Sequence, residues 1–236
     1  MRLGVDMTLS WGRMSPAERK VWAVFATVAC LLVSLAAIDA RTPQSVRQSA
    51  PLGTLDAKGP IPYFIGEGSG QAGYRSADRE LAGWALEAWQ RSVGKNLRFQ
   101  PATESAALIR LYWIEPNEGT YGEMRPFMVG SRRGAAVFIQ PDVELLGPGM
   151  AERTRADGLL RDSIVYLTCV HELGHALGLS HTKDFRDIMY FFGYGGDIAE
   201  YFGRYRAQIH SRSDIARVSG LSEADVSHIR ALYAAE

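Results

Sequence analysis

Apolar positions along this chain form one long uncharged stretch followed by a series of short periodic runs. Val21 to Ile38 contains no charged residue, with Glu18-Arg19-Lys20 before it and Asp39 and Arg41 after it. That length is at the short end for a helix that spans a bilayer and above the usual apolar core of a cleaved signal. Arg13, Arg19 and Lys20 on its N-terminal side favour a cytoplasmic residence for residues 1–20. The expectation for 21–38 is an uncleaved transmembrane anchor in the cytoplasmic membrane, single-pass, with everything after it outside. The alternative is a signal sequence cut after Ser34-Leu35-Ala36, giving a secreted or periplasmic product. Residues 39–58 are polar, carry Pro43 and Pro51, and read as a linker to a domain over 59–236.

Within that domain the period of the pattern changes repeatedly. Ile61-Pro62-Tyr63-Phe64-Ile65 reads as a first strand, its proline suiting a strand start or an edge. A helix capped by Ser76 or Asp78 runs to about Val93, with Leu81, Trp84, Ala85, Ala88 and Trp89 on its apolar face. Leu108 to Ile114 alternates as a strand. Met128-Val129 and Ala135 to Ile139 flank Gly130 to Gly134 as a hairpin. Asp162 or Ser163 caps a helix reaching about Leu177, and Asp197 to Tyr205 suggests a short helix. Leu221-Ser222 opens a last helix ending near Tyr233, where Ser222 and Asp225 have the spacing of a capping box. No internal repeat is visible.

Composition narrows the class without naming a function. The 236 residues are 47% hydrophobic and 22% charged, with 26 basic and 26 acidic side chains, a globular balance. No basic tract or interleaved aromatic stripe points to a nucleic-acid partner. The two cysteines, Cys30 and Cys169, lie in the long apolar run and in the helix before Leu177, so no disulfide framework is expected. Cys169 reads as a buried thiol.

The chemistry concentrates in His171-Glu172-Leu173-Gly174-His175-Ala176-Leu177-Gly178-Leu179-Ser180-His181. Four residues turn a helix through about 400°, so His171 and His175 share a face. Gly178 can end the helix in the left-handed region and bring His181 back as a third ligand. Three imidazoles and one open position are what a catalytic Zn²⁺ needs, and Glu172 is placed as the base for its water rather than as a ligand. His210 and His228 lack ligand spacing.

These eleven residues resemble the long zinc signature of the metzincin metalloproteases, and the ending Ala176 to His181 resembles the matrixin branch. Asp187-Ile188-Met189-Tyr190 falls where matrixins carry their Met-turn. The resemblance implies an α+β fold, a twisted mixed β-sheet with an active-site helix, a Met-turn and a C-terminal helix, preceded here by the transmembrane or signal helix. It also implies a zinc-dependent endopeptidase acting on peptide or protein substrates through a water activated by Glu172. Met189 is then an apolar floor beneath the imidazoles. Ala135 to Gln140 resembles an edge strand that binds extended peptides, with Ala136 and Phe138 as substrate contacts. Tyr190 and the aromatic run through Tyr194 wall a side-chain pocket. Phe191 departs from the family, which usually has proline there. No cysteine lies between residue 30 and Cys169, so latency through a propeptide thiol is not expected. No histidine precedes residue 171, which argues against a second, structural zinc. Asp142 and Glu144 leave calcium open. Two other classes also stay open: a zinc-binding module without turnover that binds peptides or proteins, and a structural zinc domain.

Overall fold

The computed structural model describes residues 53–116 and 121–234. The expected anchor at 21–38 and most of the linker lie outside the described residues. Among the described residues no helix is long and apolar enough to cross a membrane.

Strands β1 (Ile61–Ile65), β2 (Phe99–Pro101), β3 (Ile109–Trp113), β4 (Gly122–Val129) and β5 (Arg132–Ile139) form one sheet in the order β2-β1-β3-β5-β4. The first four of these in spatial order run parallel, and β4 is antiparallel to β5. Alternation decides the faces. Ile109, Leu111, Trp113, Ala135, Val137 and Ile139 are buried, while their neighbours Arg110, Tyr112, Ala136 and Phe138 are only half-buried. The helices are α1 (Asp78–Val93), α2 (Pro148–Ala156), α3 (Gly158–Ala176), α4 (Ile198–Arg206) and α5 (Glu223–Leu232). The architecture is therefore mixed α+β with a mixed sheet. Helix α3 runs through the core, with Ile164, Val165, Tyr166, Cys169, Val170 and Leu173 inaccessible. Trp89 of α1 packs there and donates its indole N–H to the Val170 carbonyl at 2.9 Å. Cys169 is a buried free thiol, and burial pushes its pKa well above the ordinary value.

Four details differ from the pattern reading. Ala77, without a side-chain bond, sits at the start of α1, because Asp78 turns its carboxylate to the Arg75 N–H (2.9 Å) and to Arg161. Helix α3 begins at least five residues early. Asp157 caps it by accepting from the Leu159 and Leu160 N–H groups at 3.1 and 3.2 Å. Asp162 and Ser163 lie inside the helix, one paired with Arg212 at 3.1 Å, the other donating to the Leu159 carbonyl at 2.7 Å. The hairpin loop shrinks to Gly130-Ser131, with Gly130 at φ 61°, and Gly134 is a strand residue. A Cβ on Gly134 would come 2.7 Å from the Phe127 ring and 3.0 Å from the Leu108 carbonyl, so glycine here marks close approach rather than a turn.

The fourth correction bears on function. Strand β5 is not an edge. It lies between β3 and β4, and β4 occupies the edge. Ala136 and Phe138 pair with Arg125 and Glu123 of β4, and Phe138 stacks on Tyr112 across the sheet at 5.5 Å. Polar Glu123 and Arg125, together with Pro126, hide the alternation of β4 in the sequence. A proline nevertheless suits an edge, where its missing N–H costs no ladder bond.

A buried ion pair ties α3 to α1. Arg161 and Asp78 are almost fully buried and pair at both guanidinium nitrogens, with Nη2 to Oδ2 at 2.8 Å. Nη2 also donates to the Gly73 and Pro141 carbonyls at 3.1 and 3.2 Å. Removing one partner of such a pair costs roughly 3–5 kcal/mol, because the other charge stays buried alone.

The cap of α3 generates a prediction. Asp157→Ala should lower unfolding free energy by about 1–2 kcal/mol. Asp157→Asn, which keeps an acceptor but loses the charged contact to Arg206 at 2.8 Å, should cost less. Denaturant midpoints compare them, and equal losses would move the credit from the cap to the ion pair.

Candidate metal centre and cleft

The site is assembled where α3 ends. His171 and His175 stand one turn apart, ring centroids 4.9 Å from each other. Beyond them the Leu179 N–H returns to the Gly174 carbonyl at 2.9 Å, and Gly178 takes φ 106°. A side chain at Gly178 would be strained and would also meet the Gly53 carbonyl at 2.8 Å. The reversal carries His181 back, so that its Nε2 lies 3.1 Å from His175 Nε2. One ligand atom from each of the three histidines falls within 4.8 Å of the others. Tetrahedral bonds of about 2.0–2.1 Å place ligand nitrogens about 3.3 Å apart, so the set is close to closing on one ion.

Hydrogen bonds choose the tautomers of two rings. His171 Nδ1 donates to the Ile188 carbonyl at 2.6 Å, and His175 Nδ1 donates to the Leu179 carbonyl at 2.9 Å. A carbonyl only accepts, so each Nδ1 carries the proton and each Nε2 offers its lone pair to the centre. Burial opposes the imidazolium form in all three. It pushes His171 down to about 3 and His181 to about 4, and lowers His175 as well. At neutral pH the rings are uncharged, the form that binds metal.

The segment beneath is held from several sides. Asp225 accepts from the Ile188 N–H at 2.8 Å, and Tyr201 donates to the Asp187 and Ile188 carbonyls at 3.0 and 3.3 Å. Ser222 donates to Asp187 at 2.7 Å. The capping box of α5 thus doubles as a clamp on residues 187–188. Met189, 1% exposed, lays its sulfur against α3; a Cβ on Gly174 would come 2.4 Å from that sulfur.

Glu172 is 6% exposed and has no hydrogen bond to another described residue. Its carboxyl lies against the edge strand: a Cβ at Gly122 would sit 2.6 Å from Oε1. Burial, with a smaller push from the Glu123 charge, raises its pKa to about 8. The three histidines and Glu172 open into a cavity of about 540 Å³. Gly122, Glu123 and Met124 of β4 form one rim. Tyr190, Phe191 and Phe192 form another, and Ile198, Tyr201 and Phe202 of α4 close the far end with Leu146 and Leu167.

The structure thus brings together His171, Glu172, His175, His181 and Tyr190, with Met189 packed beneath. It leaves Ala136 and Phe138 on the sheet face, outside the cavity lining. Asp142 caps a turn through the Glu144 N–H at 2.9 Å, and Glu144 pairs with Arg155 at 3.3 Å. His210 and His228 are exposed. Pattern reading missed Gly122 to Met124, whose strand is masked by charge and proline. It expected a short helix over Asp197 to Tyr205 beside the cleft without a purpose for it; the helix is there at Ile198–Arg206, and Ile198, Tyr201 and Phe202 line the cavity.

Comparison with known proteins agrees with this geometry. The sequence model described as Matrixin matches residues 59–197. Interstitial collagenase of Sus scrofa is 34% identical over 100 residues, covering 37% of this chain and 21% of that protein. The chain therefore spans about a fifth of that relative's length.

The donor set predicts its own stoichiometry. Purified protein should carry about one zinc per chain, and His181→Ala should weaken zinc binding steeply in chelator competition. Unchanged affinity in His181→Ala would remove His181 from the set.

Proposed function

The chain belongs to the matrixin family, and we propose that it is a zinc-dependent endopeptidase in which His171, His175 and His181 hold the metal and Glu172 is the catalytic base. One observation carries this reading: three neutral imidazoles converge beside a buried carboxyl that no described residue hydrogen-bonds, at the floor of a cleft rimmed by an edge strand. A structural zinc site would instead close with four protein ligands. Zinc, when bound, supplies Lewis acidity that acidifies water and stabilises negative charge on the carbonyl oxygen.

The chain's own residues do the rest. Glu172 accepts the proton of the attacking water and returns it to the leaving amine. The outer edge of β4 receives an extended peptide by strand addition, with backbone hydrogen bonds aligning it over the imidazoles. The aromatic cavity beyond Tyr190 takes the side chain that follows the cleaved bond, and its largely apolar walls select an uncharged group.

Glu172→Ala should keep fold and zinc content while turnover falls by roughly 10²–10⁴-fold, with substrate affinity little changed. Glu172→Asp should also be poor, its carboxylate withdrawn by about one methylene. Turnover and bound zinc are measured on the same preparations. Full peptidase activity in zinc-loaded Glu172→Ala sinks the mechanism, and a parent that binds peptides without cleaving them would make it a binding module.

The pH profile follows from the same carboxyl. Only ionised Glu172 can accept a proton, so kcat/KM rises with pH through its pKa. Without metal, burial holds that pKa at about 8; a dication on the imidazoles favours the carboxylate and brings it lower. The acid limb should therefore lie below pH 8, and Glu123→Gln, removing a charge that raises Glu172, should move it further down. A limb at or above 8, or one moved upward by Glu123→Gln, contradicts the assignment.

A further inference from the structure

We propose that Phe191 is a positioning residue for His181, holding the imidazole plane of the third metal ligand by ring stacking in place of the hydrogen bond that orients the other two. This rests on the reading of His171, His175 and His181 as a zinc set. The asymmetry among the rings is plain. His171 and His175 each anchor Nδ1 on a backbone carbonyl, at 2.6 and 2.9 Å. His181 Nδ1 makes no such bond among the described residues. Its ring is also the most exposed of the three. Its hydrogen bond to His175 joins the two Nε2 atoms at 3.1 Å, the atoms a metal would claim, so that bond could not orient the ring in the loaded state, and ordering the ring would oppose metal binding. Instead the Phe191 ring lies over it, centroids 4.7 Å apart and planes 30° from parallel.

Phe191 is itself fixed from three directions. Its N–H donates to the Thr182 carbonyl at 3.3 Å, and the Thr182 N–H donates to the Met189 carbonyl at 2.8 Å, so the residue after His181 is clipped to the segment bearing Phe191. Tyr194 meets the ring edge-on at 5.5 Å and 90°. Gly193 leaves room for it: a Cβ there would come 2.1 Å from Phe191 Cε1 and 2.4 Å from Cζ. Gly193 is not in the left-handed region, so space for this ring, not backbone conformation, is what requires glycine. Metal binding draws charge from the imidazole, which strengthens its attraction to the face of an aromatic ring. The stack is thus strongest in the loaded state.

The test measures zinc affinity of the full chain by chelator competition, together with the rise in melting temperature that saturating zinc produces. Phe191→Ala and Phe191→Leu should bind zinc roughly tenfold more weakly, as for loss of a group that orients a ligand. Phe191→Tyr should restore parental affinity, and Gly193→Ala should imitate Phe191→Ala by displacing the ring. The zinc-dependent rise in melting temperature should shrink in the weak variants while the metal-free melting temperature moves less; a merely structural role would lower both together. Parental affinity in Phe191→Ala and Phe191→Leu, with His181→Ala weakened, overturns the proposal. Parental affinity in His181→Ala as well would overturn the zinc reading beneath it.

Discussion

The backbone of a single residue, Ile188, carries much of the organisation. The Ile188 carbonyl accepts from His171 Nδ1 at 2.6 Å and from the Tyr201 hydroxyl at 3.3 Å, while the Ile188 N–H is held by Asp225 at 2.8 Å. Helices α3, α4 and α5 meet on that residue. Fixing the carbonyl selects the His171 tautomer and the plane of its ring, so the elements that pack around residues 187–190 also decide whether the imidazoles converge. Gly174 lets Met189 approach closely enough for this to happen.

The other end of α3 is fixed by charge. Arg161 and Asp78 leave water together, and further guanidinium N–H groups go to the Gly73 and Pro141 carbonyls and to Asp162. Burying a charged pair gains little net energy, but leaving it incomplete is costly. The pair therefore acts more through geometry than stability: with Asp78 at the start of α1 and Pro141 just after β5, α3 has one place to sit. Thr168 and Glu172 of α3 then fall beside Gly122, where Glu172 meets the edge strand.

That meeting sets the electrostatics of the cleft. Desolvation against β4 keeps Glu172 a reluctant anion, and the same burial keeps the imidazoles neutral. Two opposing shifts thus leave the metal-free cluster close to uncharged, and a bound dication would reverse the preference of the carboxyl. The largely apolar walls contributed by residues 190–192 and by α4 lower the local polarity around the same space, which strengthens each of these interactions.

What the sequence determined by itself is information carried within a turn or two of chain. The spacing of His171 and His175, the reversal at Gly178, the capping box of Ser222 and Asp225, and the helix begun by Asp197 all depend on neighbours three to six residues away, and all stand in the structure. The matrixin likeness rests on the same short-range letters. Contacts between distant segments are not written in any local period. Only the tertiary structure decided that β4, with its charges and proline, covers the outer side of β5, because strand order depends on long-range pairing. It alone placed Asp78 against Arg161, 83 residues away, which took Asp78 from the cap of α1. The raised pKa of Glu172, the cavity wall built by α4 and the Phe191 ring over His181 have the same origin. Each is a property of what packs against a residue, and burial and contact arise only when the chain closes on itself.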